Sequence, residues 1–320
     1  MKKKNVARLA LLLCALLVLA ACGGGGGETR LIMATGGVAG TYYPFGGVLA
    51  GVINANTDMQ VTVNASGASA DNIRQIANGD AHLALAQNDV MYYAFNGVGI
   101  WPADEPVTNL ATLMSLYPET VQVVVEAGSG IYSIEDLAGR RVSVGDVGSG
   151  VEANATQVLA AHGLTMNDIN VFNLGFGASA DAMRDGNLDA FFVTSAAPNT
   201  AVMDLAIARD LRILSIAANR AAALMADYPF YVQVTLDSSD YYWLSAPVQT
   251  LAVQATLVTS TDLDEQLAYD IVRALIENQP DIVEGHIRGA DISAEYAVQS
   301  ISVDFHPGAR RFFEEIGALR

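Results

Sequence analysis

The stretch Leu31-Ile32-Met33-Ala34-Thr35-Gly36-Gly37-Val38-Ala39-Gly40-Thr41-Tyr42-Tyr43-Pro44 decides the fold. Its first four residues are apolar and read as a short buried strand. A glycine-rich turn follows at 36–40, and a helix is expected over about 41–54. A strand that passes through a glycine turn straight into a helix opens a βα unit. A chain of such units builds a parallel sheet with helices on its faces.

The rhythm continues outward from that unit. A strand is expected at 60–64, where Val61 and Val63 alternate with polar residues, then a helix at 69–78 and an apolar strand at 82–86. It returns with a strand at 142–144, a helix at 151–162, a strand at 170–173, a helix at about 180–185 and a strand at 190–193. The two series echo each other. Gly67-Ala68-Ser69-Ala70-Asp71 opens the helix before Gly79-Asp80-Ala81, and Gly177-Ala178-Ser179-Ala180-Asp181 opens the helix before Leu188-Asp189-Ala190. An Ala- and Gly-rich chain can match itself by chance over five residues. The sharper reading is two α/β lobes of similar build facing one cleft.

Long extended stretches mark where the chain changes lobe. Residues 121–126 are expected to carry it from the first lobe to the second, and 248–259 to bring it back after a strand at 212–216 and an irregular region over 228–247. Helices over 262–278 and after Ser293 then pack on the first lobe. One lobe is therefore expected to hold 30–120 plus 247–320 and the other 121–246. Two crossings make a hinge with a cleft, where ligands of such sheets bind.

The beginning of the chain bears on location. Lys2, Lys3, Lys4 and Arg8 precede an apolar run over 9–21 that is shorter than the roughly 20 residues a membrane span takes. It has the length of a signal-peptide core, and it ends in Leu19-Ala20-Ala21-Cys22, which resembles a bacterial lipobox. Residues 1–21 read as a lipoprotein signal peptide, Cys22 as the lipidated residue and 22–29 as a glycine-rich linker. An uncleaved anchor is the other reading. Both tether the protein to a membrane and place it outside the cytoplasm.

Composition excludes much chemistry. The formal net charge is -17, and loss of the four cations in 1–21 takes it to -21. Such an acidic chain is a poor partner for nucleic acid. All lysines lie at 2–4, and the two cysteines are Cys14 and Cys22. The region after 29 thus offers no P-loop or Schiff-base lysine, no cysteine nucleophile and no thiolate metal site. The histidines, His82, His162, His286 and His306, have no metal-ligand spacing, and Val147 breaks a Gly-x-Ser-x-Gly elbow at Ser149. No catalytic set, metal site or cofactor is expected.

What recurs is a cluster of glycine and hydroxyl residues before a helix: 36–41, 66–69, 148–150 and 175–179. A helix start carries unpaired N–H groups and about half a positive charge, and small residues let a ligand reach them. One such cluster is an ordinary cap. Four in the same βα position can bind a carboxylate without a cationic side chain.

With these residues in view, the chain resembles the TAXI family, the extracytoplasmic solute receptors of tripartite ATP-independent periplasmic (TRAP) transporters. The resemblance is carried by Thr35 through Pro44, Ser66 through Asn72, Ala86-Gln87-Asn88-Asp89, Leu116-Tyr117-Pro118-Glu119, Ile134 through Val142, Val144-Gly145 through Gly148-Ser149-Gly150, Leu188 through Phe192 and Pro198-Asn199. It implies a periplasmic-binding-protein-like, type II Venus-flytrap fold and a small organic ligand, such as glutamate or a dicarboxylate. By position it implies one wall of Gly37, Thr41 and Tyr42 with Ser66 and Gln87 nearby. Ser149 and Gly150 would face them, and Thr194, Ser195 and Pro198 would close the cleft. The implied partners are membrane permease subunits and, through Cys22, the membrane. A receptor for an ATP-driven importer and a sensor module remain alternatives, and an enzyme is the least expected reading.

Overall fold

The computed structural model describes residues 29–319. The signal peptide, Cys22 and most of the glycine-rich linker lie outside the described residues. Ten strands run as β1 (Thr29–Ala34), β2 (Met59–Asn64), β3 (Leu83–Gln87), β4 (Leu110–Glu126), β5 (Arg141–Ser143), β6 (Asn170–Phe172), β7 (Ala190–Ser195), β8 (Leu211–Leu214), β9 (Val232–Leu236) and β10 (Val248–Ser260). The helices are α1 (Tyr42–Asn56), α2 (Ser69–Asn78), α3 (Asn88–Asn96), α4 (Gly150–Ala161), α5 (Phe176–Arg184), α6 (Thr200–Ala208), α7 (Ala218–Asp227), α8 (Glu265–Glu277), α9 (Gln279–Gly285), α10 (Ala294–Ala297) and α11 (Pro307–Glu315).

Strand order is β2-β1-β3-β10-β4-β7-β5-β6, with β8 on β4 and β9 on β10. It contains the same arrangement twice. β2, β1 and β3 are parallel and meet β10 antiparallel; β6, β5 and β7 are parallel and meet β4 antiparallel. Each trio is the sheet of one lobe, and the long strands β4 and β10 pair with each other along the middle from Leu110↔Ser260 to Thr120↔Ala252. Helices cover both faces of each sheet, because buried parallel strands have apolar residues on both sides. Phe45, Leu49, Ile271 and Phe313 fill one face of the first sheet, and Ile73, Ile76 and Val90 the other. In the second lobe Val142, Val158 and Leu159 pack on one face and Phe191, Val202 and Leu205 on the other.

The echoed segments hold equivalent places: α2 joins β2 to β3, and α5 joins β6 to β7. Their starts differ. Gly67 precedes α2, and Asp71 turns back to accept a hydrogen bond from its N–H at 3.0 Å. Gly177 is already the second residue of α5, which begins at Phe176 rather than near 180, and Asp181 pairs instead with Arg184. β4 starts eleven residues before the expected 121. Pro118 reads as a break in a strand, but it lies opposite Gln254, beside the irregularity at Ala255/Thr256. Inside the region expected to be irregular, 228–247, β9 adds to the edge of β10. Helices α3, α6, α7 and α9 lie outside the expectations from sequence; each has ten residues or fewer, and helices so short depend on packing against the rest of the fold.

Candidate functional site

Parallel strands all point their C-terminal ends the same way, so the loops that leave them converge. Between the two lobes these loops enclose a cavity of about 260 Å³. From the first lobe it is lined by 36–42 after β1, Ala68 and Ser69 at the start of α2, and Gln87 at the end of β3. From the second come Gly145, Asp146 and Ser149 to Val151 after β5, 175–178 at the start of α5, and Thr194 and Ser195 at the end of β7. Glu119, from the crossing strand β4, completes the wall.

Of the residues singled out from sequence, Gly37, Thr41, Tyr42, Gln87, Ser149, Gly150, Thr194 and Ser195 lie together on this cavity. Ser66 and Pro198 do not line it. The Ser66 hydroxyl is spent on the α2 start, donating to Asn72 Oδ1 at 2.6 Å and accepting from the Ala68 N–H. Pro198 follows a cis peptide bond after Ala197 and lies exposed ahead of α6, which Asn199 caps. Ser69 and Phe176, which fall within the clusters 66–69 and 175–179, line the cavity as well, and so do Glu119 and Asp146, which were not named as site residues. Glu119 does stand in the quoted run Leu116-Tyr117-Pro118-Glu119, the one signal that could have found it.

The lobes touch across the cavity. Thr41 Oγ1 and Ser195 Oγ lie 2.8 Å apart, both buried. A Cβ placed on Gly150 would fall 2.0 Å from Gln87 Oε1. A Cβ on Gly40 would meet the Phe176 ring at 3.6 Å. Gly145 turns at φ +89°, a left-handed value that favours glycine, and so lets the chain double back from β5 into α4.

Support for the site reaches into the core. Asn72 is fully buried and donates to the Thr35 carbonyl at 2.5 Å and to the Leu85 carbonyl at 2.6 Å. It thereby ties the ends of β1 and β3 to α2. Asn72→Ala leaves two buried carbonyls without that donor and is expected to cost about 2–4 kcal/mol of stability, read from urea denaturation.

Among the described residues no arginine or histidine lines the cavity; its ionisable side chains there are Tyr42, Glu119 and Asp146. The Tyr42 hydroxyl donates to Glu119 Oε2 at 2.6 Å. Burial pushes the Glu119 carboxyl up to about 8, the Tyr42 hydrogen bond pulls the other way, and the charge on Asp89 adds to the rise. Glu119 is therefore mostly protonated at neutral pH. Burial raises Tyr42 in turn, and Glu119 raises it further.

What the wall offers a ligand is a set of small dipoles. α1, α2 and α5 begin at the cavity with no side-chain cap on their N–H groups, whereas Ser149 caps α4 by accepting from the Glu152 N–H at 3.2 Å. Gln87 Oε1 and Thr194 Oγ1 are buried and have no hydrogen-bond partner among the described residues. Buried polar atoms are paired in nearly all native structures, and on the cavity wall Thr194 Oγ1 can donate or accept a hydrogen bond whereas Gln87 Oε1 can only accept one. Among the described residues no cluster of three or more His, Cys, Asp or Glu is placed to hold a metal ion, and no helix is long and apolar enough to cross a membrane.

Two α/β lobes joined by long shared strands, with a cavity between the ends of their parallel strands, define the fold of the periplasmic binding proteins. The chain belongs to the NMT1-like family, which it matches over residues 33–317. Among solved structures it is similar to the alkanesulfonate-binding protein SsuA of Xanthomonas axonopodis pv. citri bound to MOPS, with a TM-score of 0.52 and 15% identity over 89% of this chain and 83% of that one. It is also similar to the periplasmic aliphatic sulphonate-binding protein SsuA of Escherichia coli, with a TM-score of 0.51 and 14% identity over 90% and 84% of the two chains. A protein from Bordetella bronchiseptica RB50 matches with a TM-score of 0.56 and 15% identity over 91% and 98%. At these identities the likeness speaks for the fold.

Proposed function

We propose that the chain is a solute-binding receptor that captures a small carboxylate-bearing molecule, an amino acid such as glutamate or a dicarboxylate, and hands it unchanged to a TRAP-type permease. The observation that carries this reading is the inter-lobe cavity, walled by uncapped helix starts and the unpartnered Thr194 hydroxyl, with no cationic side chain among its described lining residues. A carboxylate seated there gains backbone donors and helix dipoles while neutralising none of the protein's charge. Capture is by closure: the lobes, 30–120 with 247–320 and 121–246, turn about β4 and β10, and the ligand bridges them. Lipid on Cys22 holds the receptor at the outer face of the membrane beside its permease. Among the described residues no histidine lines the cavity and no cluster of His, Cys, Asp or Glu is placed to hold a metal, which supports binding without turnover.

A thermal-shift screen of amino acids, dicarboxylates and keto acids tests the ligand class, since a ligand selective for the native state raises Tm. No shift from any carboxylate would remove this class. Sulfonates belong in the same screen. They offer an anionic group to the same helix starts, and two of the structural neighbours are sulfonate-binding proteins. For the TRAP assignment, uptake by cells carrying this chain and its permease should continue when ATP is depleted and stop when the ion gradient is collapsed.

Ser149→Ala should weaken binding of the strongest screened ligand by about 1–3 kcal/mol. Because Ser149 caps α4, the same change should also lower stability by roughly 0.5–2 kcal/mol. Calorimetry well below Tm separates the two effects. Unchanged affinity there would take Ser149 out of the site.

A further inference from the structure

Beside the cavity, and separate from it, a second set of polar groups joins the lobes. Asp89 and Tyr93 lie one turn apart on α3 of the first lobe, and Asn154 and Gln157 one turn apart on α4 of the second, so each pair shares a helix face. Asn154 Nδ2 donates to Asp89 Oδ2 at 2.9 Å and to the Tyr231 hydroxyl at 2.8 Å. The Tyr231 hydroxyl donates to Gln157 Oε1 at 2.6 Å, and Gln157 Nε2 donates to the Tyr93 hydroxyl at 2.7 Å. The neighbouring Phe230 sets its ring 4.9 Å from that of Tyr92 and 6.0 Å from that of Tyr93. None of these residues lines the cavity.

We propose that this ladder is a latch: it forms only when the lobes close, and it makes closure depend on the protonation of Asp89 as well as on ligand. Opening the lobes separates α3 from α4 and so breaks the Asp89–Asn154 and Tyr93–Gln157 rungs together. Asp89 is the sensitive member, because the closed arrangement takes its carboxyl out of water without a cation to pair it. The titratable groups that bear on it are Glu119 from β4, Tyr93 from its own helix and Tyr231 from the second lobe. Burial raises the Asp89 carboxyl to about 6, against the Val90 N–H and Asn154 hydrogen bonds that favour its charge.

Asn154 Oδ1 is buried and lacks a donor among the described residues. Opened to water, Asp89 returns toward the usual value near 3.9. Closing therefore takes up a proton between about pH 4 and 6, and closure weakens as pH rises through that window. The proposal rests on the two-lobed fold and does not require the ligand to be known.

Small-angle X-ray scattering of the purified chain, fitted as closed and open populations, tests it without ligand. Asn154→Ala and Tyr231→Phe should each move the closed-to-open ratio about tenfold toward open, the effect of one buried hydrogen bond. Tyr231→Phe keeps the ring, and circular dichroism confirms that each variant is folded. Asp89→Asn, which is neutral at every pH, should move the ratio toward closed at pH 7, with the gap from the parent narrowing as pH falls from 6 to 4. Parent-like scattering from both Asn154→Ala and Tyr231→Phe would overturn the latch. An Asp89→Asn gap of equal size at pH 7 and pH 4 would overturn its proton dependence. Loss of carboxylate binding in the screen would leave these outcomes untouched.

Discussion

Glu119→Gln should abolish most of the fall in stability that the parent chain shows between pH 5 and pH 8. In the folded chain the carboxyl holds its proton up to about 8, whereas unfolding returns it to the ordinary value of 4.5. Between these limits the native state binds the extra proton, so the stability to unfolding falls as pH climbs and levels off above about 8. Over the whole window the loss is on the order of 3–5 kcal/mol. Glutamine is neutral throughout, and its amide oxygen can still accept the Tyr42 hydroxyl. Urea denaturation at pH 5, 6.5 and 8 should show a steep decline in the parent and a shallow one in the variant, with a remaining slope below pH 6 from Asp89, whose carboxyl is raised to about 6. Parallel declines in the two proteins would mean that Glu119 is not the group that titrates. The same property has a consequence for binding. A ligand that places positive charge beside Glu119 should drive its proton off and bind more tightly at higher pH, whereas one that places negative charge there should bind better at lower pH.

Gly150→Ala is the second change with a large expected effect, and it acts on closure rather than on folding. The added methyl would lie 2.0 Å from Gln87 Oε1 and 2.3 Å from its Cδ. These atoms belong to opposite lobes, so the clash exists only when the lobes meet. Gln87 must then swing into the cavity or the cleft must stay ajar. Overpacking of about 1–3 kcal/mol confined to the closed form corresponds to a ten- to hundredfold loss of affinity. Alanine is also the better helix former at the first position of α4, so Tm without ligand should hold or rise slightly. Calorimetry with the strongest ligand of the screen measures the loss. Gly47→Ala is the control, because a Cβ there meets nothing within 4 Å. Equal affinity in the Gly150→Ala and Gly47→Ala proteins would show that Gln87 and Gly150 need not approach for binding.

Much of the candidate site's lining was legible because it depends on local rules. Glycine and hydroxyl residues between a strand and a helix announce a βα turn wherever they occur, and parallel strands bring all such turns to one edge. That reasoning, together with the family resemblance, put eight residues on the cavity. It failed where a hydroxyl had closer work to do, as at Ser66, or where the chain turned away, as at Pro198. Glu119 escaped because a carboxylate in a strand beside a proline reads as a solvated break. Only the antiparallel partner β10, more than a hundred residues away, keeps Pro118 in the sheet and buries its neighbour.

The sequence by itself determined the repeated βα units and the glycine- and hydroxyl-rich turns that join their strands to their helices, since each follows from residue type and from neighbours within a few positions. The tertiary structure alone decided which groups lose contact with water. Glu119 and Asp89 hold raised carboxyls, and Asp89 meets Asn154 across 65 residues of chain, because two sheets share β4 and β10 and fold their edges together. Proximity along a chain sets conformation; desolvation is set by what packs from far away, and the chemistry of this cleft depends on desolvation.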